Sequence, residues 1–277
     1  MTGDHMAHPL LISLTNVLAG FQLKSSHEAF VLLALLPVPK FIHQNTFTKR
    51  IYGLLGDCLT HECLNFVLKP LKICASIGIM MSDPLGNLQY TFTPCPCAAY
   101  MVDTQEAIML SGVAGRTPHL ILANFWQFGD TFHHPPCTAE ITLGQCEKIH
   151  QVVDPADLSQ YIREVMKYRL NGVDKLFWRD WTGAEPSNFF TPELLHHWHK
   201  AFWDLDVKWC IQAVGSKEIN FRFQFFPITQ AFDNSKLKQV TGCEHCNIEC
   251  YMVSVIEWWP KALSLQFMHW WTSITSL

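Results

Sequence analysis

Asp103 and Glu106 are the residues of this 277-residue chain whose types and spacing first suggest chemistry. Asp103 closes the apolar run 98–102 and opens Asp-Thr-Gln-Glu, the D-x-x-E spacing of a helix capping box. As a cap, Asp103 accepts a hydrogen bond from the helix it starts, and Glu106 reaches back to the Asp103 N–H. As a functional acid, it stands at the C-terminal end of a buried strand, where α/β folds place metal ligands and catalytic carboxylates.

Residues 191–209 hold a second concentration of polar groups. Thr191 is the expected helix cap and Pro192 the first helical residue, with Leu195, Trp198, Phe202, Leu205 and Trp209 forming a core-facing seam. Glu193, His197, Asp204 and Lys208 fall on one flank, and His196, His199, Trp203 and Asp206 on the other. His199 and Asp206 are separated by a rise of roughly 10 Å, too far for one ion, and His196 with His199 offers two ligands at most. The flanks read either as solvated faces or as the source of one functional carboxylate, Glu193 or Asp204.

Cys243, Cys246 and Cys250, with His245 between them, have the soft donors that zinc prefers. On a helix the third thiol lies about two turns from the first, so a closed site requires unwinding. Zinc binding is not expected.

The elements that must position these groups alternate strand and helix over residues 8–125, as an α/β domain requires. A strand is expected from Pro9 to Leu14. Ser25 and Glu28 have helix-start spacing, and the apolar run to Leu36 predicts a helix stopped by Pro37. A second helix over 48–69, with a stripe of Tyr52, Leu55, Leu59, Cys63, Phe66 and Val67, is closed by Pro70. Residues 73–81 and 88–92 read as hairpin arms around the turn 83–87. Residues 98–102 and 119–125 read as buried strands, with a helix from 104 to about Gly112 between them.

Residues 126–256 read as mostly helical. Asp154-Pro155-Ala156-Asp157 predicts a helix start whose apolar face is Leu158, Tyr161, Ile162, Val165 and Tyr168. Residues 219–225 alternate like a strand, 244–256 predict a last helix, and the Trp-rich tail 257–277 carries no readable element.

Bulk properties exclude some functions. The chain is 49% apolar and 16% charged, and twenty Lys and Arg against twenty-four Asp and Glu give a formal net charge of −4. No overall basic field can hold nucleic acid, so any DNA grip is local. Residues 1–8 lack the basic start of a signal peptide, so the eleven cysteines read as reduced thiols of a soluble protein. No apolar run reaches the roughly 18 residues of a membrane-spanning helix.

The segments 83–94, 98–107, 127–134, Phe177–Trp181, 191–209 and 236–242, in this order, resemble the central region of Plavaka-type transposases of fungal DNA transposons. LLALLPVPKF, residues 32–41, matches as well, and the resemblance runs from about residue 8 to 256. It implies a DDE-type enzyme on a partial RNase H-like α/β fold, acting in the nucleus on transposon-end DNA with Mg²⁺ or Mn²⁺, and no small-molecule ligand or membrane. Asp103 would be the second acid and a metal ligand, and Glu193 or Asp204 the third. The family's first catalytic Asp lies upstream of the first residue here, so the chain is expected to be catalytically incomplete, and a non-catalytic DNA- or protein-binding remnant is the alternative. Cys137, Cys243, Cys246 and Cys250 stand where the family carries arginine, which favours decay of the codons over a metal site.

Overall fold

The structure, a computed structural model, describes residues 6–22, 24–41, 46–83, 85–91, 99–193, 198–224, 248–252 and 255. The chain divides into two compact units, Met1–Thr191 and Pro192–Leu277. Both combine helices with little sheet: among the described residues the strands form three two-stranded sheets.

In the first unit β1 (Ala7–Ile12) pairs antiparallel with β2 (Val31–Pro37). The short helix α1 (Ala19–Gln22) lies between them. The helix expected from Ser25 to Leu36 is corrected: Ser25–His27 is one 3₁₀ turn, and Glu28 takes a φ of 48°. A positive φ cannot continue a right-handed helix, and the Leu-rich run beyond it extends because β1 supplies a partner ladder. Pairing overrides the helical propensity of Leu and Ala.

Two helices follow, α2 (Thr46–Val67) and α3 (Lys69–Ile77). Pro70 closes the first and also sits in the opening turn of the second, where its missing N–H has no intrahelical role. The first hairpin arm therefore begins late, at β3 (Ile79–Ser82), which pairs with β4 (Leu88–Thr91). The turn is as expected, with Asp83 Oδ1 accepting the N–H of Leu85 at 2.9 Å and of Asn87 at 2.8 Å.

The buried stripe of α2 is not the expected one. Leu54, His61 and Leu64 face the core, while Leu55, Leu59 and Phe66 are exposed. A histidine lies inside because both its nitrogens are satisfied: the Phe177 N–H donates to Nδ1 at 3.1 Å, and Nε2–H donates to the Met109 carbonyl at 3.3 Å.

β5 (Tyr100–Val102) is a three-residue strand with Val102 buried and Met101 exposed, so the expected buried strand is short and half-covered. α4 (Thr104–Ser111) follows and ends on Gly112 in the left-handed region at φ 82°. No strand forms over 119–125: Ile121 bridges Pro136, and Phe125–Gln127 is a 3₁₀ turn. The Pro118 and Ile121 carbonyls accept from the Arg169 guanidinium, each at 2.8 Å, in place of a strand ladder.

The rest of the first unit comprises α5 (Ala139–Val152), α6 (Leu158–Val165), α7 (Pro186–Phe189) and β6 (Phe190–Pro192), which pairs with β5. α6 starts three residues later than expected. Asp157 is its cap, accepting the Gln160 N–H at 3.1 Å, while Asp154 turns back on the Ala156 N–H at 2.8 Å. The core gathers Leu64, Leu110, Ile149, Val165, Phe177 and Trp178.

In the second unit α8 (Lys200–Phe202), a π turn (Trp203–Val207) and α9 (Lys208–Val214) form one continuous run, followed by α10 (Ser216–Phe223). Thr191 and Pro192 lie in β6, not at a helix start. The π turn inserts an extra residue into the spiral, so Phe202 and Val207 are buried five positions apart while Leu205 and Trp209 are exposed. Among the described residues the expected seam holds at Phe202 and not at Trp198, Leu205 or Trp209. The expected strand 219–225 is helical through Phe223, with Ile219 and Phe223 buried and Phe221 exposed, the signature of i, i+4 rather than alternation. Residues 248–252 are helical, inside the last expected helix, and the tail 257–277 lies outside the described residues.

Candidate functional site

Asp103 stands where β5 ends and α4 begins. Its backbone is extended, and Oδ1 accepts the Glu106 N–H at 2.7 Å, the Asp103 half of the capping box. The cap engages one carboxylate oxygen. Glu106, one turn on, is half-buried, and its carboxyl is held above the usual range, first by burial and then by the Asp103 charge; His8 on β1 acts against that. A cleft of about 510 Å³ is lined by Leu10 and Leu11 of β1, Tyr100 and Met101 of β5, and Glu106.

Two half-buried carboxylates one helical turn apart are hard oxygen donors of the kind Mg²⁺ takes. This ion keeps most of its waters and binds through one or two carboxylates together with substrate phosphates. The donor chemistry at Asp103 and Glu106 therefore fits one Mg²⁺. Among the described residues no group of three or more His, Cys, Asp or Glu converges as a metal cage.

The other proposed acids lie in the second unit. Glu193 is half-buried and directly follows β6. Asp204 sits in the π turn, where Lys208, four residues on, donates to its Oδ1 at 2.6 Å with both side chains well exposed. Sequence reasoning missed the carboxylate with the most elaborate setting there. Glu249 is buried and accepts from the Trp198 indole N–H at 2.8 Å and from His199. The one visible signal was His199 itself. His196, His197, Cys243 and Cys246 lie outside the described residues, Cys250 is an exposed free thiol, and Cys137 is buried beside Thr142.

The aromatic segment Phe177–Trp181 is a core anchor. The Trp178 indole N–H donates to the Leu110 carbonyl at 2.9 Å, and Asp180 pairs with Lys72, whose ammonium also donates to Asn65 at 2.6 Å. It ties α2, α3 and α4 together. The segment 127–134 instead forms a surface loop.

The family model described as Plavaka transposase matches residues 1–210, and the chain belongs to that family. No curated protein and no solved structure matches it.

Proposed function

We propose that this chain is the DNA-handling region of a DDE-type, RNase H-like transposase, that Asp103 is a divalent-metal ligand, and that the chain alone does not complete strand cleavage. The observation that carries the reading is the placement of Asp103 at the end of β5, one helical turn before the partly buried Glu106, which lines a cleft. Bound Mg²⁺ would neutralise phosphate charge and activate water or a 3′-hydroxyl for in-line attack. Asp103 would orient the ion, and Glu106, whose carboxyl is held above the usual range by burial and the Asp103 charge, would be the neighbouring oxygen donor. Two-metal chemistry calls for more carboxylates than the Asp103 pair provides, which supports binding without turnover for this chain. DNA of the transposon ends is the partner, and the nucleus the compartment, as the family implies.

Capping and metal binding at Asp103 separate in two variants. Asp103→Ser keeps a cap oxygen, whereas Asp103→Ala removes it at a cost of about 1 kcal/mol. Mn²⁺ binding followed by electron paramagnetic resonance should fall in both variants, while thermal stability falls in Asp103→Ala only. Unchanged Mn²⁺ binding in Asp103→Ser makes Asp103 a cap and nothing more. Strand transfer by the unmodified chain on terminal-repeat DNA, lost in Asp103→Ala, would overturn the claim of incompleteness.

A further inference from the structure

The loop 124–134, Asn-Phe-Trp-Gln-Phe-Gly-Asp-Thr-Phe-His-His, contains four aromatic rings and no aliphatic side chain. Trp126 is 88% exposed, Phe128 55% and Phe132 63%. Rings this open on a protein surface usually belong to a slack segment, but this loop is built. Asn124 and Gln127 form a complete capping box: the Asn124 side chain accepts the Trp126 N–H at 3.0 Å, and the Gln127 side chain accepts the Asn124 N–H at 3.0 Å. Asp130 holds His134 at 3.0 Å, and Phe132 packs on that imidazole with ring centroids 4.8 Å apart. Arg169 fastens the segment leading into the loop through the Pro118 and Ile121 carbonyls. The rings are thus displayed by a fixed frame, at no gain to the core.

Charge sets what can approach. Across residues 107–139 the formally charged residues are Arg116 and Asp130, and Asp130 is turned onto His134, in a chain that is otherwise net acidic. A polyanion meets little repulsion here, and His133 adds an exposed imidazole. An aliphatic partner surface would call for Leu, Ile or Val among the contacts. Rings without aliphatics, on a polar backbone, match the flat π-faces of nucleobases, which stack on aromatic side chains whatever the sequence.

We propose that Trp126, Phe128 and Phe132 form a stacking platform for unpaired nucleobases, so that this loop binds single-stranded DNA exposed where a duplex end is opened. The inference rests on the reading of DNA as the partner. It is tested with a fluorescein-labelled oligothymidine of about 20 nucleotides and a duplex of the same length, by fluorescence anisotropy. Trp126→Ala should weaken single-strand binding about 5- to 150-fold, with smaller losses for Phe128→Ala and Phe132→Ala. Trp126→Tyr should stay close to the parent chain, and duplex affinity should be the same in every variant. All these side chains lie outside the core, and matching circular dichroism spectra verify the fold. If the three alanine variants keep single-strand affinity within about twofold, the platform is wrong and the rings serve a protein partner, while DNA binding itself stands. If neither oligonucleotide binds the parent chain, DNA as the partner fails, and the platform with it.

Discussion

His61 couples the fold to pH in a way that can be measured against its own variant. It is fully buried on α2, accepts the Phe177 N–H at Nδ1 and donates from Nε2 to the Met109 carbonyl, so the neutral ring satisfies both contacts. Protonation would put a second N–H where Phe177 already donates. Burial is the main cause that lowers its pKa from 6.5 to about 4; the Met109 hydrogen bond opposes this, and the Arg179 charge adds to it. The unfolded chain therefore binds a proton near pH 6.5 that the folded chain refuses until about pH 4, so this stability is complete above the unfolded value and lost as pH falls toward the folded one. From about pH 7 to about pH 5 the loss is ~2 kcal/mol. Asp57, raised to about 6 by burial, pulls the opposite way over an overlapping window, so the raw pH profile of the parent chain mixes the two. The clean quantity is the difference between parent and His61→Gln, whose amide can accept and donate in the same places but does not titrate. Urea unfolding followed by circular dichroism should show the parent losing ~2 kcal/mol more than His61→Gln between about pH 7 and pH 5. Parallel losses in the two chains would refute the buried neutral imidazole.

Two packing predictions follow from the same core and from the second unit. Gly112→Ala places a methyl 2.5 Å from the Leu176 side chain at a φ of 82°, and should lower the unfolding free energy by ~2 kcal/mol in urea titrations. Val207→Ala should cost ~2 kcal/mol and Leu205→Ala less than ~0.5, because the π turn buries the former and exposes the latter; the reverse order in thermal unfolding would restore the regular helical seam.

What the sequence made legible were groups whose partners lie close along the chain. The Asp103 cap, the turn around Asp83 and Gly112 closing α4 are local chemistry, written in residues three or four apart. Short apolar runs were not legible. Val31–Pro37 and residues 219–223 each suit both periods, and the choice was made by β1 in one case and by an i, i+4 contact with the second core in the other. The stripe of α2 was misplaced because a histidine counted as polar; only Met109 and Phe177, far away in sequence, make it a core residue. At the candidate site, Asp103 was visible through its spacing, whereas the partial burial of Glu106 depends on strands distant in the chain, and the Glu249 contacts join residues about fifty positions apart.

The aromatic anchor at residues 177–181 also imposes an order of events on synthesis. His61 meets Phe177 across 116 residues, Lys72 meets Asp180 across 108, and Trp178 meets Leu110 across 68. Until the ribosome has released residue 181, the buried face of α2 has β2, α3 and α4 but not the anchor to cover it, and the Lys72 ammonium has no carboxylate from the anchor. Loops this long close slowly relative to helix formation. The nascent first unit therefore passes through a stage in which its helices exist with an incomplete core. The time translation takes to run from α4 to the anchor sets how long that stage lasts.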